Sequence, residues 1–251
     1  MTHELFRSGR PLVLPNAWDV ASAKLIERAG AVAIATTSAG VAWGLGHRDG
    51  GAIGRAAALE MVARIVAATS VPVTADVEDG YGDVAGTVKG VVDAGAVGVN
   101  IEDGIHAEPD RIATARRTAG TDLFLNARVD TYLLGIGAPE RRLDETLDRA
   151  AAYVEAGADG IFVPGVTDAD TIAALAKALP VPLNVMAGPG SPAVADLVAL
   201  GVARVSVGPA ITLAAYAATR RAARELLTTG TYGALDGDTP SVADIEMLMG
   251  Q

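Results

Sequence analysis

Cysteine is absent from this chain of 251 residues. Its absence excludes disulfide bonds, thiolate nucleophiles and thiolate metal ligands. Positive charge is scarce as well, because 20 Lys and Arg residues stand against 30 Asp and Glu residues, for a formal net charge of −10. We therefore expect no nucleic-acid partner, since binding to phosphates needs a basic patch. A small anionic ligand still fits this composition if cationic side chains lie locally in its pocket.

Long apolar runs are also missing. No stretch reaches the roughly eighteen apolar residues of a membrane span without meeting a charge or a turn. The segment MTHELFRSGRPLVLP carries charges where a signal peptide would need an apolar core. We expect a soluble cytoplasmic protein with no membrane partner.

What the sequence does contain is a regular alternation of two segment types. Eight short apolar runs are typical of parallel strands buried on both faces. They are PLVLPN, AVAIATT, VPVTAD, VGVNIED, LFLNARVD, GIFVPG, VPLNVMAG and RVSVG. Amphipathic segments separate them, and most of these end at a glycine. The alternation predicts one α/β domain over residues 1–251, a (β/α)8 TIM barrel with a parallel eight-stranded barrel and a C-terminal helical extension. An open doubly wound sheet is disfavoured because no GxGxxG follows the first strand.

Polar residues follow the predicted strands at their carboxyl ends, where barrels of this type carry their chemistry. They are Asn16, Asp19, Thr37, Ser38, Asp76, Glu78, Asn100, Glu102, Asp103, Asn126, Arg128, Asn184 and Ser206. The segment SAGVAWGLGHRDGG, between the second strand and its helix, reads as an unusually long loop, and it could bring Asp49 to the same end.

Four of these acids lie on two neighbouring strands: Asp76, Glu78, Glu102 and Asp103. Carboxylates that converge at buried strand ends repel one another, so either water or a cation must make the arrangement tolerable. Oxygen ligands of this kind suit Mg2+, and Mn2+ would also fit. The alternative is that the acids cap helices or lie in solvated loops, most readily for Asp79 or Asp103 taken alone.

Several motifs, in the order PNAWD, ATTSAG, ADVEDGYG, NIEDG and NARVD, resemble the isocitrate lyase and phosphoenolpyruvate mutase superfamily over about residues 11–210. The resemblance implies a (β/α)8 barrel with Mg2+ at the strand ends. It implies Asp76 as a direct metal ligand, with Asp49, Glu78 and Glu102 holding metal-bound waters.

The same resemblance implies the substrate contacts. The substrate carboxylate would lie against Ser38, Ala39 and Gly40, and Arg128 would supply the countercharge. Arg128 also has a simpler interpretation as a structural ion-pair partner. Asn184 matches a polar position near the substrate, or it forms a hydrogen bond to a neighbouring loop.

The chain departs from the superfamily at two places. The loop IEDGIHAEPDRI is short and lacks the lysine and cysteine of the isocitrate and methylisocitrate lyases, and it also lacks the Asn-bearing gating loop of the mutases. Gly165 stands where some branches carry Glu or His. The proton donor is therefore open between Tyr81, His106 and water, and His47 and His106 would equally suit solvated loops. The candidate catalytic residues are Asp49, Arg128, Tyr81 and His106.

Lysine placement disfavours a Schiff-base mechanism, because Lys24, Lys89 and Lys177 fall on predicted outer helices. The remaining hypothesis is an Mg2+-dependent lyase or decarboxylase that cleaves a carbon–carbon bond of a small 2-oxo carboxylic acid through a metal-stabilised enolate, as in oxaloacetate decarboxylation or 2-oxo-acid aldol cleavage. The alternatives are a phosphoenolpyruvate mutase or phosphonopyruvate hydrolase, and a barrel that binds a 2-oxo acid without catalysis.

The last predicted helix begins at about residue 209. Ile211, Ala215, Ala218 and Ala222 form an apolar face on it. The face could pack on its own barrel. The resemblance implies instead a helix exchanged between subunits of a homodimer, which pairs into a homotetramer.

Overall fold

The computed structural model of the chain describes residues 11–250, and within this range nine short strands and ten α-helices alternate. The strands are β1 Leu12–Leu14, β2 Asn16–Ala17, β3 Ile34–Thr36, β4 Val73–Asp76, β5 Gly98–Glu102, β6 Phe124–Arg128, β7 Gly160–Val163, β8 Leu183–Met186 and β9 Arg204–Ser206. The helices are α1 Val20–Arg28, α2 Ser38–Gly44, α3 Gly54–Ala68, α4 Val84–Asp93, α5 Pro109–Ala119, α6 Arg142–Glu155, α7 Ala169–Ala178, α8 Val194–Ala199, α9 Ala210–Thr228 and α10 Val242–Met249. Every strand pairing is parallel, which confirms the predicted (β/α)8 architecture.

The barrel closes through a first strand that is split in two. β1 pairs with β9, β2 pairs with β3, and Pro15 lies between the two halves. Proline has no N–H to donate to a ladder, so it sits where the chain changes partner. The Asn16 side chain joins both neighbours, since its Nδ2 donates to the Thr36 carbonyl at 2.9 Å and its Oδ1 accepts from the Val207 N–H at 2.9 Å. β1 and β2 together are thus the first of eight barrel strands.

Alternate strand residues serve two different layers. Outward residues such as Val99, Leu125 and Ile161 are fully buried against the helices and form the main apolar core. The inward layer is polar: the Asn126 amide donates to Asn100 Oδ1 at 2.8 Å and to Asn184 Oδ1 at 3.1 Å. The barrel interior therefore carries a hydrogen-bonded amide network below the mouth.

The predicted loop over residues 38–51 is wrong in its first half, because α2 occupies Ser38–Gly44. Thr37 caps this helix by accepting from the Gly40 N–H at 3.4 Å, and only the part after α2 is irregular and exposed. The side-chain cap at Thr37 thus stabilises a helix here despite the glycines of the segment.

The lysines lie where the sequence predicts, on the outer helices α1, α4 and α7. Lys24 Nζ donates to the Leu248 carbonyl at 2.9 Å and so fastens α10 to α1. Across residues 11–250, no helix is both long enough and apolar enough to cross a lipid bilayer.

Candidate metal and substrate site

A cavity of about 200 Å³ opens at the carboxyl ends of the strands. It is smaller than the roughly 300–1,000 Å³ of ordinary ligand pockets, so it suits a small metabolite. Its polar lining is Asn16, Thr37, Ser38, Asp49, Asp76, Asn100, Arg128 and Ser206. Its remaining lining is Ala39, Trp43, Leu133, Phe162, Pro164, Met186, Gly208 and Pro209.

Two of the predicted metal residues lie beside this cavity. Glu78 and Glu102 line an adjacent hollow, together with the backbone of Gly50 and Gly51. The two spaces lie next to one another, because the backbone N–H of Glu78 donates to Asp76 Oδ1 at 3.4 Å. The structure therefore brings the four predicted metal residues to one end of the barrel, with Asp49 and Asp76 at the cavity and Glu78 and Glu102 at the hollow.

The turn after β4 has an unusual backbone. Glu78 has a φ of 51° and Tyr81 a φ of 54°, both in the left-handed region that residues other than glycine seldom adopt. Asp79 Oδ1 accepts from the Tyr81 N–H at 2.8 Å, and the Tyr81 hydroxyl donates to Glu78 Oε1 at 3.0 Å. Asp79 thus stabilises the turn, and Tyr81 fixes the Glu78 carboxylate.

Electrostatics at this end are dominated by buried negative charge. Burial raises the pKa of Asp76, and the charge of Asp49 raises it further against the opposing effect of Arg128. Burial, with added repulsion from Asp49 and Asp76, also raises the pKa of Glu78. Burial raises the pKa of Glu102 to about 8, although Arg128 opposes the shift. Arg128 thus offsets only part of these effects, and a bound cation would stabilise the charged carboxylates further.

Arg128 is the cation that faces this cluster. Its Nη1 lies 2.6 Å from Glu102 Oε2, its Nε lies 2.6 Å from Asp130 Oδ1, and its side chain is 16% exposed. Glu102 and Arg128 are register partners on β5 and β6, which explains their contact. Burial alone would lower the pKa of Arg128, but the charges of Glu102, Asp130 and Asp76 outweigh it and raise that pKa.

Asp103 has a structural role and does not line the cavity. Its Oδ2 accepts from Arg149 Nη1 at 3.0 Å and from the Tyr153 hydroxyl at 2.8 Å, and its Oδ1 accepts from the Asp130 N–H at 3.0 Å. Asp103 is therefore neither a helix cap nor a solvated loop residue, as the alternative had it, but a buried acid with structural partners. Asp19 is the N-cap of α1, where it accepts from the Ser22 N–H at 2.7 Å.

The substrate residues predicted from the resemblance separate into two groups. Ser38 and Ala39 line the cavity, and Ser38 Oγ donates to Asp76 Oδ2 at 3.3 Å. Gly40 lies behind them, where an added Cβ would be 2.7 Å from Thr212 Oγ1. Asn184 sits in the polar network below, its Nδ2 3.2 Å from Ser206 Oγ.

Arg204 is the residue that the sequence reading missed. It is 3% exposed inside the barrel, and its Nη2 donates to Thr74 Oγ1 at 2.9 Å and to Asn100 Oδ1 at 3.2 Å. Burial lowers the pKa of Arg204 to about 9, although Asp76 opposes the shift. The available signal was its inward position in the alternating run RVSVG.

The predicted acid–base residues lie outside the cavity lining that the structure describes. Tyr81 is half-buried against Glu78, and burial together with the neighbouring carboxylates raises its pKa. His106 and His47 are exposed in loops.

The donor set fits a hard cation. Within residues 11–250, no three His, Cys, Asp or Glu side chains stand close enough to form a direct ligand group. Two carboxylates at the cavity wall, Asp49 and Asp76, with others farther off suit a small ion that keeps several of its waters, as Mg2+ does. Burial, with added repulsion between the acids, raises the pKa values of Asp76, Glu78 and Glu102, and such an ion would stabilise their charged forms.

Comparisons with known proteins converge on one group. A family model described as phosphoenolpyruvate phosphomutase matches residues 2–227. An uncharacterised protein of Mycobacterium tuberculosis is 42% identical over 82% of this chain and 81% of its own length. Oxaloacetate decarboxylase of Rhodopseudomonas palustris is 33% identical over 75% and 69% of the two chains. A phosphonopyruvate hydrolase solved with oxalate and Mg2+ superposes with a TM-score of 0.85 at 29% identity, covering 98% of this chain and 93% of the other.

Proposed function

This chain belongs to the phosphoenolpyruvate mutase family, within the isocitrate lyase and phosphoenolpyruvate mutase superfamily, and from that premise we propose its reaction. It is an Mg2+-dependent lyase or decarboxylase that breaks a carbon–carbon bond of a small 2-oxo carboxylic acid through an enolate. The resemblance drawn from the sequence motifs is confirmed by the family match. The chain's similarity to an oxaloacetate decarboxylase supports a carbon–carbon bond as the bond that breaks.

One observation carries the proposal: Asp76, Asp49 and Arg128 line the same small cavity. A 2-oxo acid presents a carboxylate and a ketone oxygen side by side, and it needs a cationic group for the first and an electrophile for the second. Arg128 offers guanidinium N–H groups to the carboxylate, and Ser38 lies at the same wall. The cavity thus has the polarity that the head of a 2-oxo acid requires.

Asp76 would be the direct ligand of the metal, with Asp49, Glu78 and Glu102 holding its waters. Mg2+, when bound, would supply the electrophile that stabilises the enolate. Glu102 and Asp130 hold Arg128 from two sides, so its guanidinium is oriented before substrate arrives. Tyr81 orients Glu78 through the hydrogen bond between them.

Bond cleavage leaves an electron pair on C3, and a proton must then reach that carbon. Tyr81 and His106 lie outside the described cavity lining, and the raised pKa of Tyr81 keeps its hydroxyl protonated. We therefore assign the proton to water at the cavity mouth, with Tyr81 acting on Glu78 as a positioning residue.

A second candidate is phosphorus–carbon bond chemistry, which the description of the matching family model and the phosphonopyruvate hydrolase likeness favour. A phosphonate carries more negative charge than a carboxylate and calls for additional cations. Among the described residues that line the cavity, Arg128 is the one such side chain. Carbon–carbon cleavage therefore ranks first.

The test compares oxalate with pyruvate in the presence of Mg2+. Oxalate has the charge and planarity of the pyruvate enolate, so it should bind far more tightly than pyruvate. Pyruvate should also exchange its C3 protons with deuterated solvent, slowly, as followed by NMR. Chelation of the metal should abolish both effects. Equal binding of the two acids, with no deuterium incorporated, would contradict enolate chemistry.

We also infer that α9 contacts a second copy of the chain. Leu213, Tyr216, Leu226 and Leu227 on this helix are 40–84% exposed, and among its described residues only Thr212 is fully buried. This supports a homodimer or homotetramer with α9 at the interface. Light scattering should give a multiple of the 25.4 kDa chain mass, and Leu227→Glu should shift the protein toward the monomer.

A further inference from the structure

The far wall of the cavity is apolar. Met186 ends β8, which stands four strands from β4 around the barrel, so it faces Asp76 across the mouth. Phe162 of β7, Pro164 and Leu133 continue this wall. We call these four residues the apolar wall. Asp76 and Met186 thus lie on opposite sides of one small space, and Arg128 of β6 stands between them, beside Phe162.

The apolar wall includes a loop that is held firmly. Leu133 lies in the turn after β6, where the Leu134 N–H donates to the Asp130 carbonyl at 2.9 Å and the Ile136 N–H to the Thr131 carbonyl at 2.8 Å. Asp130 and Thr131 are 2% and 0% exposed. The position of Leu133 is therefore a built feature of the cavity rather than a chance placement of a loose loop.

Gly165, which follows β7, also fixes the position of Leu133. Its φ is +85°, and a Cβ at this position would lie 2.8 Å from both Cα and N of Leu133. The turn that presents Leu133 thus packs directly on Gly165 and leaves no room for a side chain. An acidic or imidazole group reaching the cavity from this position is excluded by the same contact that places the leucine.

The positive charge of the cavity already has carboxylate partners. Arg128 is the one cationic side chain among its described lining residues, and it is shared by Glu102, Asp130 and the head carboxylate of the substrate. A second substrate carboxylate would rest on Leu133, Phe162 and Met186, where a charge loses hydration without gaining a partner. The apolar wall would instead stabilise a hydrocarbon group.

We propose that the substrate is a 2-oxo acid that carries, beyond C3, an alkyl or aryl group in place of a second carboxylate. The inference rests on the proposed function and names its substrate class. For a 4-hydroxy-2-oxo acid, the C3–C4 bond breaks, its electron pair passes to C3, the 4-hydroxyl loses its proton to give an apolar aldehyde, and C3 takes up a proton to give pyruvate.

A matched pair of ligands tests the proposal. 4-Methyl-2-oxopentanoate has the shape of oxaloacetate, with an isopropyl group where oxaloacetate carries its second carboxylate. In calorimetric titrations with Mg2+, 4-methyl-2-oxopentanoate should bind about tenfold more tightly than pyruvate, a conservative value given about three- to fourfold per buried methylene. Fresh oxaloacetate should bind no more tightly than pyruvate, and its pyruvate release should stay at the uncatalysed rate.

Two leucine-to-lysine variants test whether Leu133 causes the substrate preference. Leu133 is 41% exposed and Leu134 is 51% exposed, so either position can accommodate a lysine without disrupting the fold. Leu133→Lys should raise the affinity for oxaloacetate, relative to the affinity for 4-methyl-2-oxopentanoate, by tenfold or more. The reason is that it places a cation in the apolar wall. Leu134→Lys, which lies outside the described cavity lining, should leave the ratio unchanged.

The outcomes separate this inference from the proposed function. Preferential binding or rapid decarboxylation of oxaloacetate, with tight oxalate binding retained, would overturn the apolar substrate class and leave the enolate chemistry standing. Failure of oxalate and every 2-oxo acid to bind would reject both. An equal change of ratio in the two lysine variants would reject the role of Leu133.

Discussion

Glu102 and Asp103 are neighbours in the chain with the same charge, yet they are held differently. The Asp103 carboxylate is 2% exposed and is bound by Arg149, the Tyr153 hydroxyl and a backbone N–H. The Glu102 carboxylate is 21% exposed and relies on Arg128, which it shares with Asp130, and burial raises its pKa to about 8.

The difference teaches how to separate structural acids from functional ones at a barrel mouth. A carboxylate whose lone pairs are satisfied by its own chain contributes to stability and has little left to offer a ligand. A carboxylate that is buried with a shared partner is destabilised in its charged form, and a cation restores the balance. Replacing Asp103 should therefore destabilise the protein, whereas replacing Glu102 should not.

The largest expected effect is on stability at Asp103. Asp103→Ala leaves the Tyr153 hydroxyl and the Asp130 N–H without their acceptor and leaves Arg149 with Glu145 as its one carboxylate partner, so the free energy of unfolding should fall by about 3–5 kcal/mol. Urea denaturation followed by circular dichroism measures this. Glu102→Gln is the matched control, and it should keep or raise the stability of the metal-free protein. If Glu102→Gln lowered the free energy of unfolding as much as Asp103→Ala, the two acids would not differ in their contribution to stability.

The next effect concerns the partner of Glu102. Arg128→Met retains the bulk of the side chain but removes the guanidinium, so oxalate affinity with Mg2+ should fall by about 2–4 kcal/mol. Inhibition or calorimetry would report this loss, and circular dichroism would check that the variant is folded. Unchanged oxalate affinity would leave Arg128 as a structural ion-pair partner only.

Asp76 should lose metal binding without losing stability. Asp76→Ala removes the carboxylate nearest the cavity, so Mg2+ affinity should fall about 100-fold, or about 2.8 kcal/mol. The metal-free protein should be at least as stable as wild type, because a desolvated charge has been removed. Asp83→Ala, at the exposed N-cap of α4, should keep its Mg2+ affinity. Mg2+ bound equally well by Asp76→Ala would place the metal elsewhere.

The smallest effect is a pH dependence of stability. The pKa of Glu102 is raised to about 8 in the folded protein, against about 4.3 for an unfolded glutamate. Between these values the folded state binds more protons, so the metal-free protein should lose stability as pH rises from about 5 to 8. Saturating Mg2+ or Glu102→Gln should flatten the profile of melting temperature against pH. A metal-free profile that rises over this range would have the wrong sign.

Much of the fold was accessible from sequence because strands and helices leave local patterns. The eight apolar runs coincide with the barrel strands, and the acids of β4 and β5 could be placed together because parallel strands end at the same edge. The helix α2 was missed because its glycines suggested a loop, whereas the cap at Thr37 decided the conformation.

The parts of the site that could not be predicted depend on contacts between distant residues. Arg149 lies 46 positions after Asp103, on helix α6, and no local pattern links them. Arg204 reads as one residue of an apolar strand until the alternation of that strand is known. Leu133 joins the apolar wall only because its turn packs on Gly165. Sequence identified the acids, but tertiary contacts decide which of them remain available.

The split first strand has a consequence for the order of folding. Leu12 pairs with Arg204, and Asn16 reaches both Thr36 and Val207, so the ring closes only when residues near the two ends of the barrel meet. Contacts of such long sequence separation form late, because chain entropy opposes them until the intervening elements are assembled. During synthesis, β2 and β3 can pair early, whereas the β1–β9 seam must wait until about residue 206 has left the ribosome. The seam should therefore be the last hydrogen-bonded ladder to gain protection in pulse-labelling hydrogen exchange.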